Sequence, residues 1–152
     1  MVFLFFIGML FTTHCSAQNW RVSSLIKKLN NNQFSIVHEE KASFMMNGRP
    51  AYKLIKLGKP ASEKLITALS DTTKTIMAHL VLCHIYFKVA TFAGPKVITV
   101  NDKHISNYFL GQKDGEGLII SETKTNNNYK LFITPENLNS IVTFWKNKVA
   151  IK

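Results

Sequence analysis

Acidic residues are scarce in this chain. Nine Asp and Glu stand against nineteen Lys and Arg in 152 residues, leaving a formal net charge of +10. No two of the acids are spaced as an obvious general acid and base. Arginine is scarcer still, with only Arg21 and Arg49. Specific readout of bases and phosphates favours the planar Arg fork, so no specific nucleic-acid partner is expected. A lysine-dominated surface instead implies solubility and diffuse attraction to polyanions. The candidate partners are an acidic protein, anionic lipid or an acidic glycan.

Long apolar runs are missing too. The longest, residues 2–11, reads VFLFFIGMLF and is broken only by Gly8. A membrane span needs about twenty residues, so any membrane association would be peripheral. After this run come Thr12, Thr13, His14 and the small residues up to Ala17. That order has the form of a secretory signal peptide cut after Ala17, and it predicts a periplasmic or secreted protein. A lipoprotein signal ending at Cys15 is the alternative, although bulky His14 stands where that signal wants a small residue. The chain has two cysteines, and cleavage after Ala17 would leave only Cys83. Residues 18–152 would then form a single domain held by packing, with no internal disulfide.

Catalytic signatures are absent. No Gly-x-Ser-x-Gly elbow occurs. The glycine-rich segment 111–117 lacks the Gly-Lys-Ser/Thr step of a phosphate loop and the acid spacing of an EF-hand. His79 and His84 lie five apart, about 140° around a helix, where a zinc pair needs three or four. They are expected to be core or rim residues. No catalytic residue, metal site or cofactor is expected.

What the sequence does have is a central apolar stretch, Gly58 to Phe87. Ala61, Leu65, Ile66 and Leu69 repeat at helical spacing, then Ser70 to Thr73 breaks the pattern. Ile76, Leu80, Cys83 and Phe87 form a second stripe, with Met77, Val81 and His84 beside it. Two helices joined by a tight turn are predicted. Gly58 is the expected C-cap of the preceding helix. Asp71 or Thr72 is the expected N-cap of the second helix. Cys83, on the apolar stripe, is expected as a buried hydrophobe.

Leu57-Gly58-Lys59-Pro60-Ala61, Ala68-Leu69-Ser70-Asp71, Ile76 and Leu80 together resemble one HEAT-like repeat. Met77 departs from it where such repeats carry Arg, and His84 where they carry Leu. A solenoid needs about three units, so the resemblance implies a helical hairpin and not a superhelix.

On either side the patterns are shorter. Trp20, Val22, Leu25, Ile26 and Leu29 predict an amphipathic helix ended by Asn30 to Asn32. Residues 33–47 are ambiguous between strand and helix, with Phe44 to Met46 as core filler and Glu39 to Lys41 as a solvated turn of helix at best. Pro50 to Leu57 predicts a helix with Ala51, Leu54, Ile55 and Leu57 inward. Beyond Phe87, Ala93-Gly94-Pro95 is the expected stop. Four short β-rich runs follow, at 97–100, 105–110, 118–120 and 129–133, with turns at Asn101-Asp102, Lys113 to Gly115 and Asn126 to Asn128. They predict an antiparallel meander. Thr134-Pro135-Glu136 then opens a closing helix, with Leu138, Ile141, Val142 and Trp145 buried. The fold class is α+β: N-terminal helices with the helical hairpin, a small meander, and a C-terminal helix.

The expected function is an exported, non-enzymatic binding protein using a basic face of Arg49, Tyr52, Lys53, Lys56 and Lys64. Charge-driven association with membrane or envelope polymers is the alternative. A hydrolase centred on a histidine, His38 with Glu39 and Glu40 or else His104, is the third.

Overall fold

The computed structural model describes residues 18–100, 103–112, 116–125 and 128–150. Within them the architecture is α+β. A first helix, α1, covers residues 18–27. A two-stranded hairpin follows, β1 (Phe34–Val37) with β2 (Ser43–Met46). Three helices come next: α2 (Arg49–Leu57), α3 (Ser62–Leu69) and α4 (Thr75–Phe87). A four-stranded antiparallel meander is formed by β3 (Thr91–Val100), β4 (Lys103–Gly111), β5 (Gly117–Thr125) and β6 (Asn128–Phe132). Helix α5 (Pro135–Ala150) closes the described chain. The leader expected at residues 1–17, Cys15 included, lies outside the described residues, as do the turns at 101–102, 113–115 and 126–127. No helix among the described residues is long and apolar enough to cross a membrane.

Helix α4 is the centre. Ten of its thirteen residues are buried, from Thr75 to Cys83 without a break and then Ile85. This is more than the single apolar stripe expected. A helix apolar all round must be enclosed, whereas a striped helix lies on a surface. Here α2, α3, β4 and the 3-10 turn Asn31–Gln33 all pack against α4. The Tyr86 hydroxyl donates to Ser62 Oγ (3.0 Å) and ties α4 to α3.

The cap expected from Asp71 or Thr72 is not made by either. Lys74 occupies the N-cap position of α4 and offers no side-chain acceptor. Asn31 takes over from forty-five residues away. Its Oδ1 accepts from the Ile76 N–H (3.0 Å) and the Met77 N–H (3.3 Å). Its Nδ2 donates to the Thr72 carbonyl (2.8 Å), and its own N–H donates to the Thr73 carbonyl (2.7 Å). Asp71 serves the turn instead: its Oδ1 accepts from the Thr73 N–H (3.0 Å), and its Oδ2 from Lys74 Nζ. The Lys74 contact leads in holding the Asp71 carboxyl down at about 2.

At the other helix ends the sequence reads more directly. Gly58, at φ 72°, ends α2, and its N–H reaches the Leu54 and Ile55 carbonyls (both 3.1 Å). A left-handed φ of this kind favours glycine. Thr134 Oγ1 accepts from the Asn137 N–H (3.3 Å) and caps α5. Helix α4 itself ends at Lys88, with a left-handed φ of 68°. Gly94-Pro95, the expected stop, sits inside β3, where the register with β4 shifts between Ala93 and Lys96. Proline is tolerated in a strand at an edge or a bulge, and this position is both.

The inner face of the sheet carries Tyr108 opposite Ile120 and Leu110 opposite Leu118, all buried. Helix α5 covers β5 with fully buried Trp145 and with Ile141, while Leu138 and Val142 are half-buried. The segment 33–47 resolves as a hairpin, because Phe34 opposite Met46 and Ile36 opposite Phe44 put the apolar side chains on one face. Phe44 and Met46 pack on the core, but Met45 is exposed. An aromatic seam ties the hairpin to the sheet. Phe34 meets Phe44 at 5.7 Å, Phe44 meets Phe92 at 5.5 Å, and Phe92 stacks on Tyr108 at 5.4 Å between centroids. On α1, Val22 is buried but Trp20 is 75 % exposed, contrary to the expected stripe. Two residues of helix turn the side chain by about 200°, so both cannot face the core.

His79 joins three elements inside the core. It is fully buried on α4. The Trp145 indole N–H on α5 donates to its Nδ1 (2.9 Å), and its Nε2–H donates to the Leu110 carbonyl on β4 (2.7 Å). Both ring nitrogens are thereby satisfied in the neutral form. Burial lowers its pKa from 6.5 to about 4.

Two predictions follow from these contacts. Replacing Asn31 by Ala strips the two capping acceptor bonds and should cost about 1–3 kcal/mol, whereas Asn32→Ala should stay within about 0.5 kcal/mol. Denaturant unfolding of both variants measures the difference. The second concerns pH. The unfolded histidine takes a proton below 6.5, and the folded one refuses it until about 4. Stability is therefore complete above pH 6.5 and falls as pH drops toward 4, by roughly 3 kcal/mol in all. His79→Gln should be less stable at neutral pH but should lose this slope. A slope that persists in the variant would contradict the assignment.

Candidate functional site

Two surfaces carry chemistry, and they are opposite in sign. The first is the outer face of α2. Ala51 and Leu54 are fully buried and fix the helix to α4, with Ile55 and Leu57 half-buried beside them. Arg49, Lys53 and Lys56 then fall outward, at i, i+4 and i+7, and all three are exposed. Tyr52 stands among them, 56 % exposed, with its hydroxyl donating to the Met46 carbonyl (3.0 Å). That bond ties the ring to β2, where Met45 is 51 % exposed. The only ion pairs among the described residues are Lys74–Asp71 and His38–Glu122. The α2 cations therefore have no carboxylate partner there.

Lys64 is used differently. It sits on α3 and donates to the Asn19 carbonyl (3.0 Å) and to Ser23 Oγ, both on α1. It lines a groove of about 500 Å³ with Lys27 and Lys74. Lys59 Nζ lies 5.8 Å over the Tyr86 ring, a cation–π contact.

The second surface surrounds His38, just after β1. Its Nε2 lies 3.2 Å from Glu122 Oε1 on β5. The Tyr108 hydroxyl donates to Glu122 Oε2 (3.1 Å). Glu122 and Tyr108 are only 5 % and 2 % exposed. A carboxylate accepts only, so the hydrogen on Nε2 belongs to His38. Tyr129 stacks on the imidazole at 4.6 Å. Burial, followed by the negative charge of Glu122, pushes the Tyr108 phenol up to about 12, so it stays a donor. His38, Glu39, Glu40 and Lys41 share a cavity of about 480 Å³ with Phe92 and Tyr108.

His38, Glu39 and Glu40, neighbours in the sequence, all line this cavity. Tyr108, Glu122 and Tyr129 join His38 from the sheet, outside the site residues that the sequence singles out. A signal for Glu122 was present: Leu118, Ile120 and Glu122 alternate onto the buried face of β5. An acid in that row needs partners.

The remaining candidates are structural. His104 is exposed, and its Nδ1 shares a hydrogen bond with the Thr99 hydroxyl across the β3–β4 pair (3.1 Å). His84 is half-buried near the end of α4. The Cys83 thiol lies against His79, and burial raises its pKa to about 12, which keeps it from acting as a thiolate nucleophile. A cavity of about 540 Å³ beside β6 is lined by Asn31 and Thr75, whose side chains already bond to the α3–α4 turn. No cluster of three His, Cys, Asp or Glu suited to a metal occurs among the described residues.

Comparison of the chain with protein families, with curated proteins and with solved structures finds no match.

Proposed function

We propose that this is an exported, non-enzymatic binding protein that engages an acidic protein partner through the outer face of α2. One observation carries the reading. Arg49, Lys53 and Lys56 are exposed on a helix anchored by buried residues, and no carboxylate among the described residues neutralises them. Cations held on a rigid element keep their spacing, so little conformational freedom is lost when a partner docks. Their charge raises the encounter rate with an acidic surface.

The centre of the face distinguishes a protein partner from a simple polyanion. Tyr52 adds exposed aromatic surface amid the cations, and Met45 is exposed on β2, the strand to which the Tyr52 hydroxyl bonds. Tyrosine and methionine are enriched at protein interfaces, and an aromatic ring ringed by polar contacts is the usual form of a binding hot spot. The resemblance of α3 and α4 to a HEAT-like unit and the leader-like run at 2–11 support the reading. Lys64, engaged with α1, is left outside the proposed contact.

Reversing both charges, Lys53→Glu with Lys56→Glu, should weaken retention on immobilised poly-L-glutamate at physiological salt by about tenfold or more. Thermal stability should hardly change, since both side chains are exposed. Tyr52→Ala should leave polyglutamate retention nearly unchanged while weakening capture of an acidic protein. Unchanged retention after charge reversal would remove α2 as the binding face. Binding to anionic lipid vesicles equal to that of polyglutamate, and insensitive to Tyr52→Ala throughout, would favour charge-driven envelope association instead.

A further inference from the structure

We infer that the cavity between the β1–β2 loop and the bulged start of β3 binds a small organic cation, an amine or a guanidinium. Its volume, about 480 Å³, is within the range that holds small ligands. Its inner wall is already fixed. Tyr108 is held by its bond to Glu122 and its stack on Phe92, and His38 by Glu122 and Tyr129. His38 and Tyr108 therefore need not be ordered by a ligand.

Hydrogen-bond polarity selects the ligand class. Glu122 takes the Nε2–H of His38, which in the neutral imidazole leaves Nδ1 as an acceptor. That Nδ1 has no partner among the described residues. The Tyr108 hydrogen is committed to Glu122, so its oxygen keeps only acceptor capacity. Glu39 and Glu40 on the loop accept only. Phe92 and Tyr108, stacked on each other, supply the aromatic back of the cavity. Lys41 is the one cationic side chain lining the cavity. Two carboxylates, Glu39 and Glu40, thus face one ammonium at the cavity, with Glu122 behind His38 and Tyr108, in a chain whose nine acids are outnumbered by nineteen bases. Elsewhere the net charge of +10 repels a cation, and here the sign reverses. An anion would find almost no donor in this place, and a donor-rich cation would find several acceptors.

The test is an NMR titration of the ¹⁵N-labelled full chain at mildly alkaline pH. Agmatine and tetramethylammonium are the cationic probes, and acetate and phosphate the anionic controls. Saturable shifts are expected with agmatine at residues 38–42, 92–95 and 108, and none there with either anion. Glu39→Gln with Glu40→Gln should weaken the agmatine response by about tenfold, through loss of two charged acceptors. Both positions are exposed, so folding should be intact. Glu122→Gln should weaken it also, and its own spectrum shows whether the fold survives. Absence of saturable cation shifts at these residues, equal shifts with acetate, or an undiminished response in the Glu39, Glu40 double variant would overturn the inference.

Discussion

Helix α4 sets the terms for the rest of the molecule, because it is buried nearly all round and every polar group on it needs a partner inside the protein. Thr75, Ile76 and Met77 in its first turn are buried, and its own N-cap residue offers no side-chain acceptor. Asn31 meets that need from the segment after α1, and so pins the N-terminal part of the chain to the core. His79 meets the same constraint in the middle of the helix. Its two nitrogens are aimed at α5 and β4, so the requirement for satisfied polar groups also decides how the closing helix and the sheet are placed. Apolar contact is non-directional, and these hydrogen bonds supply the direction.

The same logic separates the two exposed chemistries. Lysines lie on elements whose buried residues hold them from below, as on α2. The acids near His38 lie where the hairpin meets the sheet. There an aromatic seam from Phe34 to Tyr108 closes the gap, and Glu122 sits at its end with both oxygens occupied. A basic surface around an acidic recess gives partners of opposite charge separate places to bind. The fold achieves this with two ion pairs among the described residues, so most of its charge is free to act outward.

Much of this architecture is legible in the residues. Helix periods in 61–69 and 138–145, Gly58 as a stop and Thr134 as a start are all local signals, and they survive in the structure. The meander is legible because its strands are short and its turns regular. Long-range choices are not local. Asn31 reads as one of three turn-forming asparagines, and nothing nearby marks it as the cap of a helix that starts at Thr75. Residues 33–47 were ambiguous because a four-residue strand has too few positions to separate a period of two from one of 3.6. Gly94-Pro95 looked like a terminator, since sequence alone does not show that an edge strand with a bulge accommodates it. The α2 cations were visible as a face, but the engagement of Lys64 with α1 was not. At the cavity, His38, Glu39 and Glu40 are neighbours in sequence, whereas Tyr108 and Glu122 reach them only through strand pairing.

The central claim, that α4 and its two polar ties organise the whole body, is tested most directly by native-state hydrogen exchange. Amides from Leu80 to Ile85 should exchange only through global unfolding, at a free energy equal to that from denaturant melts, while α1 and the outer end of β3 open far more easily. Exchange along α4 as fast as that of α1 or the β3 edge would contradict the account.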